Sequence, residues 1–327
     1  MKTTAATQSV APDLPPVPHP CHVRVKHVNK PRTYETKDRE HKQVTLNMPD
    51  PDTHLPSAAP HPWSIDQIAF DRIAHERIVS EDAWFYVLAS ASFVESLSDL
   101  YTHNLLGHME DDLEVSRWLR ERWEPEELQH GRALRRYVEA VWPAFDWQTA
   151  FDGFCADYRP YCKPELLEST RALEMVARCV VEAGTSGLYD LLQQVSPEPV
   201  LATLVGHIRN DEVGHYKYFY HFFLRYREVE RPSRWQVARV LRQRLGEIGQ
   251  EDAYLALKNA FAVRHPGQIF SPQDFQRFQH TAGHWARADY PYEMTVKMLL
   301  KPLRLPGLIN RMALPLLVQH ARHVVAP

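Results

Sequence analysis

The sequence holds two Glu-x-x-His steps, Glu127-Leu128-Gln129-His130 and Glu212-Val213-Gly214-His215. On a helix, residues i and i+3 share a face, so each step presents a carboxylate and an imidazole to a single cation. A chain of this composition yields about that many such pairs by chance; the weight lies in their surroundings. Each pair follows an acid, Glu126 or Asp211. Each also follows a further glutamate at a matched interval, with Glu95 32 residues before Glu127 and Glu182 30 residues before Glu212. The pattern is a two-fold repeat of helix-Glu, helix-Glu-x-x-His. Its four carboxylates balance the charge of two divalent cations, and hard oxygen donors with neutral imidazole suit iron, with manganese as the alternative.

Three of the four glutamates stand in apolar helical stripes. Glu212 has Val205, Ile208 and Phe219 on its face, Glu127 has Trp123, Leu134 and Tyr137, and Glu182 has Met175, Cys179 and Tyr189. An acid so placed is costly unless it is paired or metal-bound. Glu95 has the weakest such signal, since Leu88 and Ala91 share its face with Ser92 and Ser98. The plain competing account is a set of interhelical salt bridges to arginines such as Arg178 and Arg209.

To bring these residues together the chain needs long helices, and its apolar periodicity supplies them. The spacing predicts helices near 64–78, 81–109, 111–141, 164–195, 198–229, 232–249, 251–262, 272–300 and 307–322, the first opened by a Ser64/Gln67 capping pattern. Strand-like alternation is nearly absent, so the expected class is all-α. The helices 81–109, 111–141, 164–195 and 198–229 are each long enough, at roughly 45 Å, for a bundle core. A bundle with this donor set is of ferritin-like type. The expected division is a proline-rich irregular arm over 1–62, with eleven of the 25 prolines, a di-iron bundle over 63–230, and accessory C-terminal helices over 231–327.

Composition removes other chemistries. Neither a G-x-G-x-x-G nor a Walker-type phosphate loop occurs among the 12 glycines, so no dinucleotide or P-loop site is expected. The four cysteines, Cys21, Cys155, Cys162 and Cys179, contain no C-x-x-C pair, which disfavours an iron–sulfur centre and a disulfide framework. A net charge of −3 gives no global field for nucleic acid or for an anionic membrane. No apolar run has the length of a leader or a membrane span, and the expected location is the cytoplasm.

The segment Trp123-Glu124-Pro125-Glu126-Glu127-Leu128-Gln129-His130-Gly131 resembles the W-x-x-E-E-x-x-H-G segment of soluble acyl-(acyl carrier protein) desaturases. Asp211-Glu212-Val213-Gly214-His215 resembles their D-E-x-x-H, and Glu182-Ala183-Gly184-Thr185 their E-x-x-T. The resemblance covers about 81–229. It implies that Glu95, Glu127, His130, Glu182, Glu212 and His215 bind two irons, with Glu127 and Glu212 as bridges. It also implies that Asp211 accepts from an imidazole N–H, and that Thr185 lies by the oxygen-binding face and helps deliver a proton; its competing role is a helix hydroxyl bonded back to Val181. Pro125, two residues before Glu127, departs from the family and must either open or kink the metal-bearing helix. So do the arm and the helices after residue 232.

The expectation is an oxygen-activating di-iron enzyme that abstracts hydrogen from an unactivated C–H bond of an acyl thioester, on carrier protein or coenzyme A. No motif supplies electrons, so an external donor such as ferredoxin is implied, and a homodimer is expected. The rival enzyme is a di-iron oxygenase or N-oxygenase acting on a small biosynthetic intermediate. An iron-binding protein without turnover is the rival from another class. A basic run (Arg231, Arg234, Arg239, Arg242, Arg244) is either a landing site for an acidic carrier or a solvated face. The apolar tail from Met298 to Leu317 is a lid, a dimer contact, an interfacial anchor or packed core.

Overall fold

The computed structural model describes residues 63–247 and 252–325, so the expected 1–62 arm lies outside the described residues. The described residues are helical and contain no strand, which is the all-α class.

Residues 64–78 are not the single helix that the spacing predicts. They form three short 3-10 turns, Ile65–Gln67, Phe70–Arg72 and His75–Arg77, separated by extended residues. Trp63, Ile68, Ile73 and Ile78 are all buried. Three residues of 3-10 turn and two of link make a repeat of five, so one side chain per repeat reaches the core. Gln67 does bond back to the Ser64 N–H at 3.0 Å, yet the helix so capped ends after one turn.

The predicted helix 81–109 is two, α1 (Asp82–Ser96) and α2 (Ser98–His108), parted at Leu97. The Ser98 hydroxyl donates to the Glu95 carbonyl at 2.6 Å, competing with the helical ladder where it breaks. The predicted 111–141 is α3 (Leu113–Trp118), a π-helical turn (Leu119–Trp123) and α4 (Glu124–Val141) in one run. Pro125 is the second residue of α4, and the widened turn directly before it absorbs the hydrogen bond proline cannot make. It therefore opens the regular helix within a continuous rod.

α5 (Trp147–Tyr158) is an element the sequence reading lacks. Its cap was visible, since Asp146 accepts from the Thr149 N–H at 3.0 Å, and Trp147, Ala150 and Phe154 bury at helical spacing. α6 (Arg171–Val195) starts at the Thr170 cap rather than at 164, and α7 (Pro199–Glu230) matches its prediction within a residue or two. α8 (Arg234–Glu247) and α9 (Asp252–Arg264) follow. The predicted 272–300 is split by Pro291 into α10 (Pro272–Asp289) and α11 (Tyr292–Leu300), and α12 (Gly307–Val325) ends the described chain.

α6 packs along α7, and α1 along α4, with α4 also meeting α7. These four helices join two apolar cores. One gathers Trp84–Phe93 of α1, Ala133–Val141 of α4 and Val200–Ile208 of α7; the other gathers Ala172–Ala183 of α6, Tyr216–Tyr226 of α7 and the π turn's Leu119 and Trp123. On α7, Asp211, Glu212 and His215 fall between the two, as do Glu126, Glu127 and His130 between the π turn and the core half of α4. A buried polar layer thus interrupts the apolar interior. Glu198 ties the first core together, accepting from the Val200 and Leu201 N–H groups at 3.1 and 2.8 Å, the Ala74 N–H at 3.2 Å and the Tyr137 hydroxyl at 2.8 Å.

Candidate metal centre

All six predicted ligands are buried and converge. α1 delivers Glu95 from its last turn, α4 delivers Glu127 and His130 one turn apart, α6 delivers Glu182 from its middle, and α7 delivers Glu212 and His215 one turn apart. Their donor atoms form two groups, each within 4.8 Å: Glu95, Glu127, His130 and Glu212, and Glu127, Glu182, Glu212 and His215. Glu127 and Glu212 belong to both. The two imidazole rings lie 6.0 Å apart by centroid.

The imidazoles are oriented alike. Nε2 of His130 meets Asp211 Oδ2 at 3.0 Å, and Nε2 of His215 meets Glu126 Oε2 at 2.7 Å. A carboxylate behind Nε2 retains the proton there and leaves the Nδ1 lone pair facing inward. Both Nδ1 atoms face carboxylate oxygens, His130 Nδ1 at 3.2 Å from Glu212 Oε1 and His215 Nδ1 at 3.1 Å from Glu127 Oε1, without the alignment of a good hydrogen bond. Carboxylates and imidazoles crowded onto one buried volume with poorly aligned contacts are costly in a finished interior and are what a bound cation would satisfy. The buried Glu/His group therefore fits a metal site.

The arrangement is crossed. The acid before Glu212, on α7, backs the imidazole of α4, and the acid before Glu127, on α4, backs the imidazole of α7. Asp211 thus stands where the resemblance placed it, whereas Glu126 was noted only as a neighbouring acid. Arg122 Nε lies 3.2 Å from Glu126 Oε1. Trp63 was also missed: its indole N–H donates to Asp211 Oδ2 at 2.7 Å, its ring stacks on His207, and its carbonyl accepts from Gln129 at 3.3 Å. The Tyr189 hydroxyl donates to Glu95 Oε1, and the Trp123 indole N–H to Glu182 Oε1 at 3.2 Å. The sequence pattern shows Trp123 and Tyr189 as apolar flanks. Their polar tips were the available signal, since a buried Tyr or Trp seeks a partner.

Thr185 places its hydroxyl on Glu212 Oε2, closer than the carbonyls of Val181 and Glu182, both at 3.3 Å. The hydroxyl thus bonds back along its helix, as one sequence reading has it, and also touches a predicted ligand. The arginines of the salt-bridge account go elsewhere, Arg178 to Glu174 at 2.9 Å and Arg209 to Asp190 at 3.0 Å.

Without a cation the cluster retains protons. Burial pushes the Glu95 carboxyl up to about 7, aided by the Glu127 charge. Burial likewise raises Glu182, beside the Glu212 charge, and Glu212, beside that of Glu127. Glu127 resists its burial, because the two imidazoles facing it hold it well below the carboxylate range. For His130 and His215 burial works against the charged form, yet the surrounding carboxylates outweigh it and raise both well above the usual range. Cation binding at such a site displaces protons.

Compared with protein-family models, curated proteins and solved structures, the chain gives no match.

Proposed function

We propose that the protein is an oxygen-dependent di-iron oxidoreductase of ferritin-like type acting on unactivated C–H bonds, with an acyl thioester as its substrate class. The carrying observation is the pair of overlapping donor groups that share Glu127 and Glu212, a geometry made for two cations with bridging carboxylates. Glu95 and His130 would hold one ion, Glu182 and His215 the other. The chemistry that two such ions supply when bound is reduction of dioxygen coupled to hydrogen abstraction.

The chain's own residues do the rest. Asp211 and Glu126 keep each imidazole in one tautomer and one orientation. Thr185, half-buried on α6 and touching Glu212, holds a proton at Oγ1 on a partly exposed helix face beside the cluster. Val181, Gly184 and Leu188 continue that face at helical spacing, with Val181 exposed. This apolar strip, about 10 Å long at 1.5 Å per residue, suits an alkyl chain laid against the site. Reducing equivalents come from outside, from a ferredoxin-type donor, and an acyl carrier protein and a homodimer belong to the same reading.

One observation favours the second reading, an oxygenase or N-oxygenase of a small intermediate. Two shallow surface hollows, of about 250 and 340 Å³, border His103, Gly107 and their neighbours on α2 and α3, and neither is lined by Thr185. A short approach to the metal needs only a small substrate.

Anaerobic reconstitution with ferrous iron is expected to load about two ions per chain, lost in Glu182→Ala and His215→Ala. Iron content near zero in the parent protein overturns the site. Reduced, loaded protein is then exposed to oxygen with a panel of acyl thioesters and of small amines and acids. Oxidation of an acyl thioester supports the first reading; oxidation of the small molecules alone supports the second.

A further inference from the structure

We propose that α12 and the start of α8 form a membrane-surface site that lies on an anionic lipid bilayer. The inference rests on neither the metal centre nor the reaction proposed for it. Between residues 307 and 323, α12 carries nine apolar side chains and buries none. Ala313, Leu314, Val318 and Ala321 are half-buried on the side that rests against α10 and α11. Leu308, Met312 and Leu316, at i, i+4 and i+8, form a second stripe and are 71, 67 and 68% exposed. Ile309 widens it.

The stripe has a neighbour. Arg234, at the first position of α8, bonds the carbonyls of Leu303 and Arg304 at 3.2 and 3.0 Å, which brings the start of α8 beside the turn leading into α12. The next residue, Trp235, is 85% exposed. An unshielded indole at the start of α8, next to the turn that leads into the helix bearing the aliphatic stripe, fits the composition of an interfacial anchor, where ring and alkyl groups enter the headgroup layer.

Charge selects the occupant. Residues 231–247 hold five arginines and one acid, and residues 294–327 hold five Lys/Arg and no acid, in a chain whose net charge is −3. Arg231, Arg234, Arg239, Lys301, Arg304 and Arg311 are all exposed. A second copy would bring the same positive charge against this face. Residues 1–62 are no better matched, with eight Lys/Arg to six Asp/Glu. A bilayer bearing anionic headgroups supplies the opposite charge around the stripe and hydrocarbon beneath it. No described helix is long and apolar enough to cross a membrane, so α12 lies on the surface rather than spanning it.

The test is co-sedimentation of the full chain with vesicles of phosphatidylcholine alone and of phosphatidylcholine with phosphatidylglycerol. Binding is expected on the anionic vesicles and is expected to weaken at high salt. The double variant Met312→Glu/Leu316→Glu should weaken it by about tenfold or more. Both positions are exposed, so thermal midpoint and iron content should remain those of the parent, which separates lost binding from lost folding. Absence of binding to anionic vesicles at low salt overturns the proposal. So does a double variant that binds as the parent does, or a concentration-dependent dimer that the double variant abolishes, since the face would then be a contact between copies.

Discussion

An imidazole can offer either nitrogen to a cation, and here the carboxylates behind the rings make the choice. Asp211 and Glu126 each accept from Nε2, so both Nδ1 atoms look inward. Asp211→Asn and Glu126→Gln replace an obligate acceptor with a group that can also donate, which releases the tautomer. Each is expected to weaken metal affinity by about 10- to 100-fold, measured by chelator competition, with the helical far-UV signal retained. The same cluster sets a pH dependence in the metal-stripped protein. Glu95 is raised from 4.5 to about 7 in the fold, so within that window the folded chain holds a proton that the unfolded chain has lost. Stability from this group is full below the lower value and is lost as pH rises through the upper one; the raised Glu182 and Glu212 act in the same direction. The thermal midpoint of stripped protein is therefore expected to be lower near pH 8 than near pH 5, and iron loading should flatten the slope. Glu127, Glu182, Glu212 and the two histidines were legible because helical spacing and apolar flanks are local, whereas Glu95 rested on the matched interval and Asp211 on the family resemblance. The role of Glu126 was not, because the crossing of two helices is written in no single segment.

At the scale of elements, close approach matters as much as length. Gly131 follows His130 on α4, and a Cβ there would meet the Ser96 hydroxyl oxygen at 2.5 Å and backbone atoms N and Cα at 2.7 and 2.9 Å. Backbone cannot step aside, so Gly131→Ala must push α4 from α1, where Glu95 precedes Ser96. A destabilisation of about 1–3 kcal/mol is expected by chemical denaturation, together with weaker metal binding. A variant as stable as the parent would show that the helices have room. The long regular helices α6 and α7 could be read from periodicity, whereas interruptions were harder. Pro291 was a visible breaker between α10 and α11, but the Leu97 break carries no Gly or Pro. The Trp63–Ile78 segment fits neither the period of a helix nor that of a strand, and its burial every fifth residue passes for helical spacing. Pro125 was recognised as a problem for α4. Its resolution through a π turn depends on packing that sequence spacing does not encode.

For the molecule as a whole, the polar layer between two apolar cores puts the candidate metal site at the centre of the bundle, so under the proposed di-iron reading cohesion there would depend on the cation. Stripping the metal is expected to raise amide hydrogen exchange in the middle of α4 and α7, around Glu127–Leu134 and Ile208–Tyr216, while α9 and α10 change little. Uniform protection with and without iron would show that the layer is held by its own hydrogen bonds. The all-α class followed from composition and period. The substrate did not, because it depends on which helix faces the accessory elements cover, and the extra helices after α7 have no spacing rule that reports their docking.

The crossed acids also act as a gauge of alignment. Asp211 sits one residue before Glu212 on α7 and reaches the imidazole of α4; Glu126 sits one residue before Glu127 on α4 and reaches the imidazole of α7. Sliding one helix along the other by a single residue, about 1.5 Å, breaks both contacts together. A mis-registered pairing would bury two imidazoles and two acids without partners, so the residues that prepare the site also discriminate against the wrong assembly of the helices that carry it.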